Sequence, residues 1–326
     1  MNTVTTHLPG SSRLTPLREG ALVLTVLACL PYLALKTAWI LGSELGIPAD
    51  SALLDHETTM RFANGLTFLM DATAIALAFA LARSWGRRIP AWLIAGPAWI
   101  ATGLLAPIVL AFPLQAVLGV VGGGSEPAPD FLEPWVFTVV YGGFSLQALG
   151  LGVLFVLHSI DRWGHLWHGP VAGLPALPTS SVARLSVVGA AVVATVPLVV
   201  HIAWASGASW LRDEGVSGEQ AMVQGVFALL TVSGLCGAAV LVRGRSAVPA
   251  GAPLVAAWVG SATVTAWGLW MMFGTAMTDP SGQVDTPAGM VVVFGLAATS
   301  GAMLLVTGAH LFAGWSAERR ELPVPV

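Results

Sequence analysis

The sequence predicts an all-α, polytopic membrane protein with eight transmembrane helices arranged as two parallel four-helix repeats. Three observations carry that prediction. Charged residues make up 10% of the 326 residues and hydrophobic ones 56%, whereas soluble domains run near about 25% charged. Too few charges exist to coat a soluble core of this size. Apolar runs recur at the roughly 18 or more residues that a helix needs to cross about 30 Å of hydrocarbon. The two halves also carry an ordered series of matching motifs.

The spans fall at 20–42, 62–83, 90–113, 134–158, 184–206, 218–242, 251–274 and 287–312. The first is too long for a signal-peptide core, and no small-residue cleavage site follows it, so it is read as retained. The second follows the polar loop "DHETTMR", 55–61, and the third starts at Pro90. Next comes "PLQAVLGVVGGGSEPAPDFLEP", 113–134. Its apolar start reads as a segment lying along the interface, and its Gly- and Pro-rich end as irregular chain. The fourth span starts at Pro134. "HGPVAGLPALPTSS", 168–181, reads as a linker between halves. The domain division is then a first repeat at 1–163, a linker at 164–183 and a second repeat at 184–326. The last four spans are separated by the short polar stretches 207–217, 243–250 and 275–286.

Loop charge sets orientation. Arg13, Arg18, Arg83, Arg87, Arg88, Arg162, Arg184, Arg243, Arg245, Arg319 and Arg320 all fall on one side, which is eleven of the 14 basic residues. Arg61 and Arg212 fall on the other. The positive-inside rule puts both termini in the cytoplasm of a bacterial plasma membrane. Trp39, Trp135, Trp204 and Trp210 lie near the outer boundary, and Trp85, Trp163, Trp167 and Trp315 near the inner one, as aromatic belts require.

The repeat is read from block order. "KTAWILG" (36–42) matches "HIAWASG" (201–207) at an offset of 165. Gly65 aligns with Gly225 and Trp99 with Trp258. The segment 139–163 aligns with 291–315 at an offset of 152, which pairs His158 with His310. Four spans per unit give both units one orientation, a parallel repeat about an axis along the membrane normal.

Polar residues inside the spans are the functional candidates, because a charge at mid-membrane costs about 3 kcal/mol on insertion scales. They are Lys36 (the only lysine in the chain), Asp71, Gln147 and His201. The alignment sets Lys36 against His201, Asp71 against Thr231 and Gln147 against Thr299. Two uses are open: interhelical glue, or a proton, ion or solute site. Lys36 is expected to pair with Asp71, since both side chains lean toward their helix N-termini and so toward each other. His158 and His310 are expected at last helical turns, facing the negative helix end.

Other candidates are weaker. Asp55, His56 and Glu57 place three ligand types in one loop, a weak cation site at most. His165 and His168 lack a third ligand nearby. Cys29 and Cys236 lie in apolar runs and read as buried packing thiols. No Walker A, H-E-x-x-H, G-x-S-x-G or C-x-x-C motif is present, nor a basic patch for nucleic acid. The expected partner is the lipid bilayer, with no metal, cofactor or nucleic acid, and no catalytic residue is assigned.

The segments "LKTAWILG", "RRIPAWLIAGPAW" and "EPWVFTVVYGGFSLQ" resemble uncharacterised multi-pass membrane proteins of high-GC Gram-positive bacteria. The resemblance implies a membrane location and carries no activity. In architecture alone the predicted chain is similar to haem A synthase, whose histidine ligands sit on the second and fourth helices of each unit. Here the second and sixth spans have no histidine, so no haem is expected. Three functions remain: a small-molecule or ion transporter or permease; a non-catalytic accessory or anchoring protein; or a membrane enzyme acting on a lipid, quinone or haem.

Overall fold

A computed structural model of the chain describes residues 11–51, 53–54, 57–122, 131–167, 169–175, 180–212, 215–278 and 287–321. Among them are eight long helices: α1 (Ser11–Ile40), α2 (Glu57–Ala82), α3 (Ala91–Gly122), α4 (Pro134–Trp167), α5 (Ser180–Ala205), α6 (Gly218–Arg243), α7 (Gly251–Thr278) and α8 (Ala288–Glu321). Each contains a stretch long and apolar enough to cross a membrane. The protein is an integral, multi-pass membrane protein. Large apolar side chains such as Leu27, Leu69, Val188 and Leu229 are exposed, a surface that fits lipid and not water.

Several ends differ from the expected spans. α1 starts well before residue 20, α4 runs on to Trp167 and α8 to Glu321. These extensions are polar helical turns that hydropathy does not register. α3 continues through Pro113 to Gly122, so the apolar start of the 113–134 loop is helix and not an interfacial segment. α4 breaks at Trp163 (φ −132°, ψ 26°), so the buried His158 lies little more than one turn before that break. His310 is exposed and lies well inside α8, which runs on to Glu321, so the last-turn reading fails for His310.

The chain forms two compact units. One comprises Met1–Ala98 and Pro127–Arg162, and the other Trp99–Glu126 and Trp163–Val326. In the first, α1, α2 and α4 surround a core layer of Leu35, Trp39, Ile47 and Val136. Its α2–α3 end is stitched by charge. Arg18 meets Asp161 at 2.6 Å, Arg83 meets Glu19 at 2.5 Å and Arg87 meets Asp161 at 3.4 Å.

In the second unit, α5–α8 pack with the 99–122 stretch of α3. Gly234 and Gly260 let α6 and α7 approach backbone to backbone. A Cβ on Gly234 would stand 2.8 Å from the Gly260 Cα, which is the small-residue mode of membrane helix packing. Part of the 164–183 linker is pinned here: Val171 N donates to Val248 O at 3.0 Å and Ala172 N to Ser246 O at 3.0 Å.

Positions paired by the alignment carry matching local geometry at three places. Trp39 Nε1 donates to Leu45 O at 2.8 Å, and Trp204 Nε1 to Trp210 O at 2.7 Å. Both indoles close a turn made by a left-handed glycine, Gly42 at φ +90° and Gly207 at φ +87°. The buried face of α2 (Asp71, Ala74, Leu77, Ala78, Leu81) recurs on α6 as Thr231, Gly234, Gly237, Ala238 and Leu241. α3 and α7 exchange reciprocal bonds, from Trp99 Nε1 to Ser261 Oγ and from Trp258 Nε1 to Thr102 Oγ1, each 3.2 Å.

The α4–α8 block behaves otherwise. Val136 packs with the Trp39 layer and Val293 with the Trp204 layer, a separation of 157 residues and not 152. Five residues turn a helix by about 140°. Gln147 is consequently buried while Thr299 is exposed.

Two other expectations change. Trp39 and Trp204 are core side chains, 5% and 2% exposed, not lipid-facing anchors, whereas Trp85, Trp135 and Trp210 are exposed. Cys29 is buried, but Cys236 is exposed.

Candidate functional site

The first unit holds Lys36, Asn64, Asp71 and Gln147 buried in its interior. Three of the four sequence candidates are thus brought together, and Asn64 joins them. Asn64, Thr67 and Asp71 lie on one face of α2 at i, i+3 and i+7, where a helix aligns its side chains. α1 runs alongside with Lys36, Tyr32 and Cys29 on the facing side. Gln147 enters from α4.

The expected Lys36–Asp71 ion pair is not formed. The Lys36 ammonium donates to Asn64 Oδ1 at 2.8 Å. It also lies 4.6 Å from the Tyr32 ring centre and 4.9 Å from that of Trp39, a cation–π arrangement. Asp71 Oδ1 accepts from Gln147 Nε2 at 3.4 Å. Helix phase and depth explain the outcome. α2 begins at Glu57, five residues before the expected start of that span, so Asp71 lies about 7–8 Å further along the helix from its start than expected. Asn64 occupies the level that Lys36 reaches.

Three buried atoms of this cluster have no hydrogen-bond partner: Asn64 Nδ2, Asp71 Oδ2 and Gln147 Oε1. The amide orientations follow from chemistry. Lysine only donates, so Asn64 must turn its oxygen to Lys36 and its nitrogen away. A carboxylate accepts, so Gln147 turns its nitrogen to Asp71 and its oxygen away. The cluster offers donors at the Lys36–Asn64 level and acceptors at the Asp71–Gln147 level.

Toward the α2–α3 end the cluster is followed by Leu77, Ala78, Leu81, Leu151 and Leu154, all buried. Thr25 on α1 turns its hydroxyl to Ala21 O at 2.8 Å, and the buried His158 lies further along α4.

His201 belongs to the second unit, apart from the other three candidates. Its Nδ1 lies 2.7 Å from Gln224 Oε1, and Phe227 stacks on the ring at 5.4 Å. By the alignment this contact corresponds to Lys36–Asn64, since both amides directly precede the paired Gly65 and Gly225. That signal was in the sequence and pointed to Asn64. Other interior polar groups of this unit are internally bonded: Ser300 Oγ to Ala190 O at 2.9 Å, Thr307 Oγ1 to Ser186 Oγ at 2.8 Å and Thr265 Oγ1 to Ser261 O at 2.9 Å. Thr263 Oγ1 is the exception among the described residues.

The weak cation candidates are not placed. Asp55, His56 and the side chain of Glu57 lie outside the described residues, as do His168 and the side chain of His165. Among the described residues no group of three His, Cys, Asp or Glu side chains is arranged to hold a metal ion.

The fold and site define a multi-pass helical membrane protein with an occluded polar cluster. No protein-family model matches the chain, and neither the curated proteins nor the solved structures give a significant match.

Proposed function

We propose that the protein is a carrier, or permease, for a small polar solute in a bacterial plasma membrane, with both termini cytoplasmic. The binding site is the Lys36–Asn64–Asp71–Gln147 cluster. One observation carries this reading: a buried cation and a buried carboxylate sit in one helix unit without pairing, beside three orphaned polar atoms. A purely structural cluster pairs its groups, because a polar group buried alone costs about 1–3 kcal/mol. A binding site keeps them available for a ligand.

The second unit supports a division of labour. Its corresponding positions are His201, Gln224 and Thr231, milder groups that bond to their neighbours. This favours an anchoring and scaffolding role for that half, the accessory reading applied to half the chain. The matched Trp39 and Trp204 turns and the matched faces of α2 and α6 support descent of 1–163 and 184–326 from one four-helix ancestor.

The test is uptake into proteoliposomes. A panel of small zwitterions, cations and anions should include at least one solute with protein-dependent flux. Asp71→Asn should lower that flux by about tenfold or more, and Thr231→Ala should leave it unchanged. No flux for any solute, from a protein that is folded in the vesicles, defeats the carrier reading.

A further inference from the structure

We propose that the cluster binds a small zwitterion, with an N–H-bearing cationic end at Asp71 and Gln147 and an oxygen-bearing anionic end at Lys36 and Asn64. This rests on the carrier reading and names its solute class.

The hydrogen-bond inventory sets the polarity of the ligand. Asp71 Oδ2 and Gln147 Oε1 are buried acceptors without a donor. Asn64 Nδ2 is a buried donor without an acceptor, and the neighbouring Lys36 spends one N–H on Asn64 Oδ1 out of the three an ammonium carries. A bare cation satisfies the first pair and leaves Asn64 and Lys36 short. A bare anion does the reverse. A molecule with both ends satisfies all four groups at once and neutralises the field of each buried charge.

Spacing sets the length. Asn64 and Asp71 are seven residues apart on α2, about 10 Å along the helix axis. A hydrogen bond of about 3 Å at each end leaves about 4–5 Å between the terminal nitrogen and oxygen of the ligand. That suits an extended β-amino acid, with two carbons between its nitrogen and its carboxylate. A zwitterion whose cationic end is a quaternary ammonium has no N–H and cannot serve the two acceptors. The leucine layer lies beneath Asp71 and Gln147, so the ligand enters from the α1–α2 loop side, anionic end last.

The probe is 3-aminopropanoate, read by the melting temperature of the purified full-length protein in detergent. Glycine betaine, propanoate, propylamine and sodium chloride serve as comparators. The expected result is a saturable rise of about 2 °C or more with 3-aminopropanoate, and less than half of that with each comparator. Asn64→Leu and Gln147→Leu should weaken the apparent affinity by about tenfold or more, while Thr231→Ala should not. No rise, an equal rise with glycine betaine or a single-ended analogue, or an undiminished response in both leucine variants overturns the assignment. Should both variants fail to fold, the comparison of probes on the unmodified protein decides alone. Binding without flux in proteoliposomes leaves the ligand class standing and removes the carrier. Flux of a different solute that depends on Asp71, with no response to 3-aminopropanoate, leaves the carrier and removes the zwitterion.

Discussion

Lys36 Nζ and Asn64 Oδ1 meet at 2.8 Å in the interior of the first unit, and this contact, not one with Asp71, holds the single lysine in place. The energetic consequence is measurable. A double-mutant cycle of Lys36→Met with Asn64→Leu should give a coupling of about 1–2 kcal/mol, between the membrane average and the value for a charged donor. The cycle of Lys36→Met with Asp71→Leu should give less. Unfolding free energies in mixed detergent supply both numbers, and the opposite order restores the direct ion pair.

The indole turns should be equivalent. Trp39→Phe removes the N–H that Leu45 O accepts, and Trp204→Phe the one that Trp210 O accepts. Each change should cost about 0.5–1.5 kcal/mol. Gly42→Ala and Gly207→Ala should each cost about 1 kcal/mol, because both positions hold a positive φ that a Cβ disfavours. Thermal melts of the four variants decide it; a loss confined to one half argues against a shared turn.

The α6–α7 approach is intolerant of bulk. Gly234→Leu places a side chain against the Gly260 backbone, and overpacking of this kind costs about 1–3 kcal/mol or more. Gly65→Leu on α2 meets open space and should cost far less. A comparable loss in both would mean that helix propensity, and not the close approach, dominates.

Topology follows from the arginine distribution. In a background with Cys29 and Cys236 replaced by Ala, a cysteine at Ser43 should react with an impermeant thiol reagent applied outside intact cells. A cysteine at Ser84 should react only after the membrane is permeabilised. The reverse pattern inverts the protein in the membrane.

The eight spans were legible because uninterrupted apolar runs have few other uses. Their ends were not, since the first and last turns of α1, α4 and α8 are polar helix. Lys36, Asp71 and Gln147 stood out by composition alone, and they do converge. Their partners did not stand out. Depth counted from an expected start at 62 was wrong because α2 begins five residues earlier, at Glu57, and this puts Asn64, not Asp71, at the level of Lys36. Asn64 was marked by its place beside Gly65, opposite Gln224 beside Gly225. The same alignment misled at α4 and α8, where five identical positions among 25 composed of few residue types set the wrong register.

Water access to the cluster tests the central claim most directly. With Cys29 and Cys236 replaced by Ala, a cysteine at Asn64 is treated with a negatively charged, membrane-impermeant thiol reagent, and a cysteine at Thr231 serves as the control of equal burial. A carrier opens its site to one face within its cycle, so position 64 should be modified from the α1–α2 loop side, and position 231 should stay unmodified. If position 64 is as inert as position 231 from both sides, while a cysteine at Ser43 reacts fully, the cluster is sealed structural glue and the protein does not carry a solute through it.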